Sequence, residues 1–184
     1  MNVLLAKKIV CYYMITITVL GTIGNFISCF ICLRPRLRKI NTFKIFASIA
    51  VVDSFGLYEW NIRQIVLYLY GIDLNNVSVW GCKLLSYFQY VTFEASAWLL
   101  VSAVLDRLLS VKFPIWARKH FSSRRCSFFI IILFSFFLIF NIPFAIKNGY
   151  TYLDENQTER VQCHYSPIKD PSFVQAWSWV LIFI

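Results

Sequence analysis

A chain of 184 residues that is 59% hydrophobic and 15% charged is too apolar for an ordinary soluble domain, where about 45–50% apolar and about 25% charged residues are usual. The mean hydropathy of +0.63 points the same way. The net charge of +9 does not indicate a nucleic-acid partner, because the basic residues are packed into two short connections between apolar runs, as the positive-inside rule expects of cytoplasmic loops.

The apolar runs are long enough to cross a bilayer, which takes roughly 20 helical residues. Lys7 and Lys8 ahead of the first run imitate a signal-peptide n-region. The run is too long for an h-region and no small-residue cleavage site follows, which predicts a retained helix over about 9–33. "RPRLRKINTFK" comes next, with Arg34, Arg36, Arg38, Lys39 and Lys44 and no acid. Those charges outweigh Lys7 and Lys8, so 34–42 is expected in the cytoplasm and the N-terminus outside. A second helix is expected over about 43–70, a polar outer turn over 71–78 and a third helix over 79–111. "KFPIWARKHFSSRRC" carries Lys112, Arg118, Lys119, Arg124 and Arg125, again without an acid, and reads as a second cytoplasmic loop, 112–125.

The fourth helix is expected over about 126–146. Pro143 near its outer end is tolerable there, because neighbouring helices can re-satisfy the freed carbonyl. A mixed-charge outer loop of hairpin length covers about 147–171. The last apolar run, about 173–184, is too short to cross, so the chain reads as four complete helices and a truncated fifth, all-α and integral to the membrane.

Two features bear on this topology without using charge. The Asn-X-Ser/Thr sequons at Asn76 and Asn156 both fall outside. Cys29, Cys32 and Cys126 fall within or at the inner ends of helices, and Cys11 lies near the outer end of the first. Cys82 and Cys163 are the two that face an oxidising compartment; two free buried thiols are the alternative.

Down the third helix, Gln89, Phe93, Ser96, Leu100, Ala103 and Arg107 recur at alternating spacings of four and three, which makes one stripe. Arg107 lies at its inner mouth with Asp106 beside it. Charges at membrane depth are costly and functional by default.

"GN" at Gly24-Asn25, "IAVVD" ending at Asp53, and "DRLLSVKFP" from Asp106 to Pro114 stand in order and at matching depths. Together they resemble the rhodopsin-like G-protein-coupled receptors, over nearly the whole chain. Leu108 replaces the usual tyrosine, and no tryptophan occupies the middle of the fourth helix. The resemblance implies a seven-helix bundle, a Cys82–Cys163 disulfide, and a cytoplasmic switch. In that switch Asp106 pairs with Arg107 until activation frees the arginine for a heterotrimeric G protein. It also implies a polar core of Asn25, Asp53 and Ser96, with a sodium ion on Asp53 and Ser96, whose oxygens suit a hard cation. A protonated or water-bonded Asp53 is the alternative, and no other cofactor is expected. The chain as given, lacking the sixth helix, is not expected to signal alone.

Trp60, Gln64, Gln89, Tyr90 and Phe93 are polar and aromatic residues in the outer halves of helices two and three, as a ligand pocket needs. Glu59 and Arg63, four apart, suit either a pocket or a helix ion pair. Gln89 stands where amine receptors of the resembled family carry an aspartate, which leans towards a peptide ligand. A plasma-membrane, multi-pass receptor follows, with lipid around it. A transporter or channel fragment is the rival, but no internal repeat or paired helix break is evident. A truncated, non-signalling partner of complete receptors is a further reading. An enzyme is not expected: His120 and His164 fall on opposite sides of the membrane by this topology, and no nucleophile pattern appears.

Overall fold

The computed structural model describes residues 3–120, 122–154 and 157–165, so the expected fifth helix and Asn156 lie outside the described residues. Four long helical segments follow one another. Helix α1 spans Val3–Cys32 and α2 spans Asn41–Tyr70, with a short 3-10 turn, Leu37–Lys39, between them. Helix α3 spans Val79–Lys112. After the short α4, Pro114–His120, comes the fourth segment, α5 (Ser123–Phe140) and α6 (Ile142–Lys147). Lys7 and Lys8 are thus inside α1, and Lys44 is inside α2, not in the loop before it.

The ends have local causes. Ser78 caps α3 by accepting from the Gly81 N–H at 2.9 Å, and Ser122 caps α5 by accepting from the Arg125 N–H; each satisfies a donor that the first helical turn leaves open. Gly71 ends α2 at φ 70, a left-handed conformation that glycine adopts without cost. The fourth segment is not one continuous helix as expected. It breaks at Asn141, because Pro143 has no N–H to donate and its ring clashes with the preceding turn.

Three of these segments are long and apolar enough to cross a membrane by length and composition: Leu5–Cys32, Val79–Lys112 and Ser123–Lys147. Helix α2 is as long as α1, but Lys44, Asp53, Glu59, Asn61, Arg63 and Gln64 keep it out of that set. Its polar groups are largely turned inward: Asn61 and Arg63 are buried. Large apolar side chains are exposed along α1, α3 and α5, as expected where the surrounding solvent is lipid.

Helix α3 is central, touching α2, α5, α6 and both strands of the outer hairpin. The core joins Ile45 and Val52 of α2 to Val91, Ala95, Leu99 and Ala103 of α3 and to Cys126 and Phe137 of α5. The buried line on α3 therefore runs at a spacing of four. Phe93 and Leu100, placed by sequence on the packing stripe, are instead 49% and 54% exposed. Helix α1 packs on α2 closely: a Cβ at Gly21 would come within 2.8 Å of the Leu57 side chain. Polar pairs reinforce this contact. Asn61 donates to the Thr18 hydroxyl at 2.9 Å, and the Thr22 and Tyr58 hydroxyls are bonded at 3.0 Å.

The expected outer loop contains regular structure. Strands β1 (Asn148–Leu153) and β2 (Glu159–Tyr165) pair antiparallel, with Tyr150 opposite Gln162 and Leu153 opposite Glu159. Gly149 sits at φ +80 with its Cα edge against Cys82, so a side chain there would be both strained and crowded.

Candidate functional site

Helices α1, α2 and α3 line an open cleft of about 670 Å³. Asn25, Asp53 and Ser96 line it, and so do Trp60 and Phe93, whose ring centroids lie 6.3 Å apart. Two residue sets that the sequence treated separately, the polar core and part of the outer pocket, therefore share one space. The Ser96 hydroxyl donates to the Asp53 carboxylate. Asn61 and Thr92, not singled out by sequence, add polar groups to the same wall.

The other three expected pocket residues are placed elsewhere. Gln64 is half-buried and does not line the cleft. The Gln89 carbonyl accepts from Arg63 Nη1 at 3.0 Å. Tyr90 stacks on Phe144 of α6, with centroids 3.9 Å apart. At about 100° per residue, Tyr90 stands about 60° round α3 from Phe93, on the side of Glu94, which turns it towards the fourth segment.

Arg63 is a structural tie. It is 7% exposed. Its Nη1 also lies 3.4 Å from Glu59 Oε1 and 3.3 Å from Asn75 Oδ1, and its guanidinium carbon stands 4.8 Å over the Trp60 ring. One buried cation thus joins α2, the outer turn and α3, and of the two readings left open for Glu59–Arg63 the geometry is that of the internal ion pair.

Above this tie, the sulfurs of Cys82 and Cys163 are bonded and the Cα atoms lie 5.4 Å apart. The Cys163 N–H donates to Asn76 Oδ1 at 2.9 Å, and Asn76 Nδ2 donates to Asp73 Oδ2 at 2.9 Å. The outer turn, the start of α3 and β2 are therefore held together by a covalent bond and by Asn76. Nothing in the spacing of the sequon reveals that second role.

At the inner end the expected Asp106–Arg107 contact is not made. Consecutive residues stand about 100° apart on a helix and do not face one another. Asp106 Oδ2 instead accepts from the Thr42 hydroxyl of α2 at 2.5 Å. The Arg107 guanidinium carbon lies 5.9 Å from the Phe43 ring centroid. Lys44, the residue after Phe43, donates at 2.8 Å to the Ser123 carbonyl and the Ser127 hydroxyl of α5. Thr42 was legible only as the end of a loop and Phe43 only as the start of a helix, since a partner sixty-four residues away leaves no local pattern.

Among the described residues no cluster of three or more His, Cys, Asp or Glu side chains could hold a metal ion. Asp53, Ser96 and Asn25 nonetheless fit part of a monovalent-cation site, as oxygen-bearing groups around one cleft.

An apolar helical bundle with a polar cleft between its first three helices, a hairpin bonded to the third and adjacent Asp106 and Arg107 at the other end of that helix fits the first part of a heptahelical membrane bundle. Residues 12–179 match the family described as serpentine type 7TM GPCR chemoreceptor Srw, and the chain belongs to it. It is 29% identical over 109 residues to a human protein designated G-protein coupled receptor GPR32P1, covering 59% of this chain and 39% of that protein. It is 25% identical over 156 residues to the thyrotropin-releasing hormone receptor of Gallus gallus, covering 81% and 39%. It is 26% identical over 141 residues to a Caenorhabditis elegans protein designated G-protein coupled receptor B0563.6, covering 74% and 32%. The chain spans at most 39% of the length of these relatives.

Proposed function

We propose that this chain forms the ligand-facing and switch-bearing first part of a plasma-membrane receptor, with its N-terminus outside, that binds an extracellular peptide and activates a heterotrimeric G protein. The cleft carries this reading: it runs from the aromatic pair Trp60 and Phe93 to the polar group Asn25, Asp53 and Ser96. A ligand resting on the aromatics would be coupled through that polar group to the interior of the bundle. Gln89 presents no carboxylate to an ammonium, and its carbonyl is already engaged by Arg63, which favours a peptide over an amine. That one relative is named as a hormone receptor agrees with this.

In the resting state Asp106 is held by Thr42, and Arg107 is held by neither. The switch is therefore the release of Asp106 from α2, with Arg107 carrying the contact to the G protein. A sodium ion, when bound, would neutralise Asp53 with help from Ser96 and Asn25. The sequons at Asn76 and Asn156 would carry glycans; at Asn76 this is compatible with the outer turn, because a glycosylated Asn76 keeps one Nδ2 hydrogen for Asp73 and its Oδ1 for Cys163.

The test uses the complete receptor containing this chain, expressed in cells, with G-protein activation measured without ligand. Asp106→Asn and Thr42→Val should both raise basal activation, and Arg107→Ala should abolish it at matched surface expression. Normal coupling by Arg107→Ala would overturn the switch. Activation by a panel of amines and not by a peptide library would overturn the ligand class.

A further inference from the structure

At the break between α5 and α6, Asn141 is 0% exposed, and Glu94 of α3 beside it is 6% exposed. Asn141 Nδ2 donates to Glu94 Oε2 at 2.7 Å and to the Phe137 carbonyl at 3.0 Å. The two remaining oxygens of the pair, Glu94 Oε1 and Asn141 Oδ1, are buried and receive no hydrogen bond among the described residues. Leaving either acceptor unmade in an apolar interior is costly, and an unpaired carboxylate more so.

Among the described residues no cation forms an ion pair with Glu94. Phe137 approaches from α5 and Phe144 from α6, and the titratable side chain nearest on α3 is Tyr90, whose ring is stacked on Phe144. Lys83 and Arg107, the basic residues of α3 on either side, are about 16 and 20 Å along the axis at 1.5 Å per residue. Lys83 donates to the Ile146 carbonyl, and Arg63 of α2 is engaged with Glu59, Asn75 and Gln89.

A single proton resolves both orphans. We propose that Glu94 is a carboxylic acid in the folded protein, donating from Oε1 to Asn141 Oδ1 while its Oε2 accepts from Asn141 Nδ2. An acid and an amide joined this way leave no oxygen of the pair without a donor. The closed pair is a latch between α3 and the bend of the fourth segment. It holds Asn141 at the point where Pro143 has already weakened the helix. Loss of the proton removes one of the two bonds and leaves a buried negative charge, which opens the latch. This inference goes beyond the proposed function and needs neither its ligand nor its G protein.

The test compares the complete receptor, purified in detergent, with its Glu94→Gln, Glu94→Ala and Asn141→Ala variants. Glutamine presents the same donor and acceptor as the acid. Infrared difference spectra at neutral pH should show a protonated-carboxyl carbonyl band in the unaltered protein that shifts in D2O and is missing from Glu94→Gln. Thermal unfolding should leave Glu94→Gln near the unaltered protein and lower both alanine variants by several degrees. An unaltered protein whose spectrum lacks that band has an ionised Glu94, and the proposal falls. A Glu94→Gln protein as unstable as Glu94→Ala, or one that does not fold, overturns it equally.

Discussion

Asp53 and Asp106 lie at different depths of the bundle, and each takes a hydroxyl from a neighbouring helix: Ser96 for the first and Thr42 for the second. A carboxylate hydrogen-bonded by one hydroxyl is only partly compensated, which leaves Asp53 open to a cation from the cleft and Asp106 open to release. For Asp53 this gives a defined expectation. Asp53→Asn in the complete receptor should remove any effect of sodium, relative to potassium at equal ionic strength, on agonist affinity and on thermal unfolding. Sodium-specific dependence that survives the substitution would mean that the ion binds elsewhere. Gln89 and Tyr90 carry the opposite lesson. Both are on the predicted face, yet one is claimed by Arg63 and the other by Phe144, because a side chain of that length takes the nearest buried partner.

Among the elements, α3 bears most of the organisation, and its outer end is fixed twice. The Cys82–Cys163 bridge closes a loop of 81 residues, and Asn76 binds the backbone of Cys163 from the outer turn. A disulfide typically contributes about 2–4 kcal/mol to stability, more for a longer loop. Cys163→Ser should therefore lower the unfolding temperature of the purified receptor, and reducing agent should destabilise the unaltered protein but not the variant. An unchanged unfolding temperature would show that the hairpin is held by its backbone pairing and by Asn76 alone. The pair Arg160–Asp154, at 3.2 Å with the arginine exposed and the aspartate half-buried, adds little, as solvated ion pairs generally do. The fourth segment shows a different balance. Pro143 breaks it, and the break is affordable because Asn141 turns its amide onto α3.

At the scale of the molecule, the exposed apolar flanks of α1, α3 and α5 require lipid, and the proposed orientation rests on the basic connections 34–42 and 112–125. A tag fused ahead of Met1 should be stained by antibody on intact cells, whereas one inserted at Arg36 should be stained only after permeabilisation. The reverse pattern would invert the topology and move Cys82–Cys163 to a reducing compartment, where such a bridge is not expected to persist.

The long apolar runs, their basic connections and the short motifs around Asn25, Asp53 and Asp106 determined by themselves that this is a membrane receptor of helical build, because hydrophobic length and charge asymmetry act locally along the chain. The same local signals put the break at Asn141 out of reach, since a proline in a membrane helix is compatible with either a bend or a continuous rod. Only the tertiary structure decided that Asp106 rests on Thr42, that Arg63 gathers Gln89 and Asn75, that Glu94 meets Asn141, and that Phe93 rather than Tyr90 faces the cleft. Each of these is a choice among polar or aromatic partners from different helices. Such choices depend on the rotation and approach of whole helices, which hydropathy and spacing within one helix do not specify.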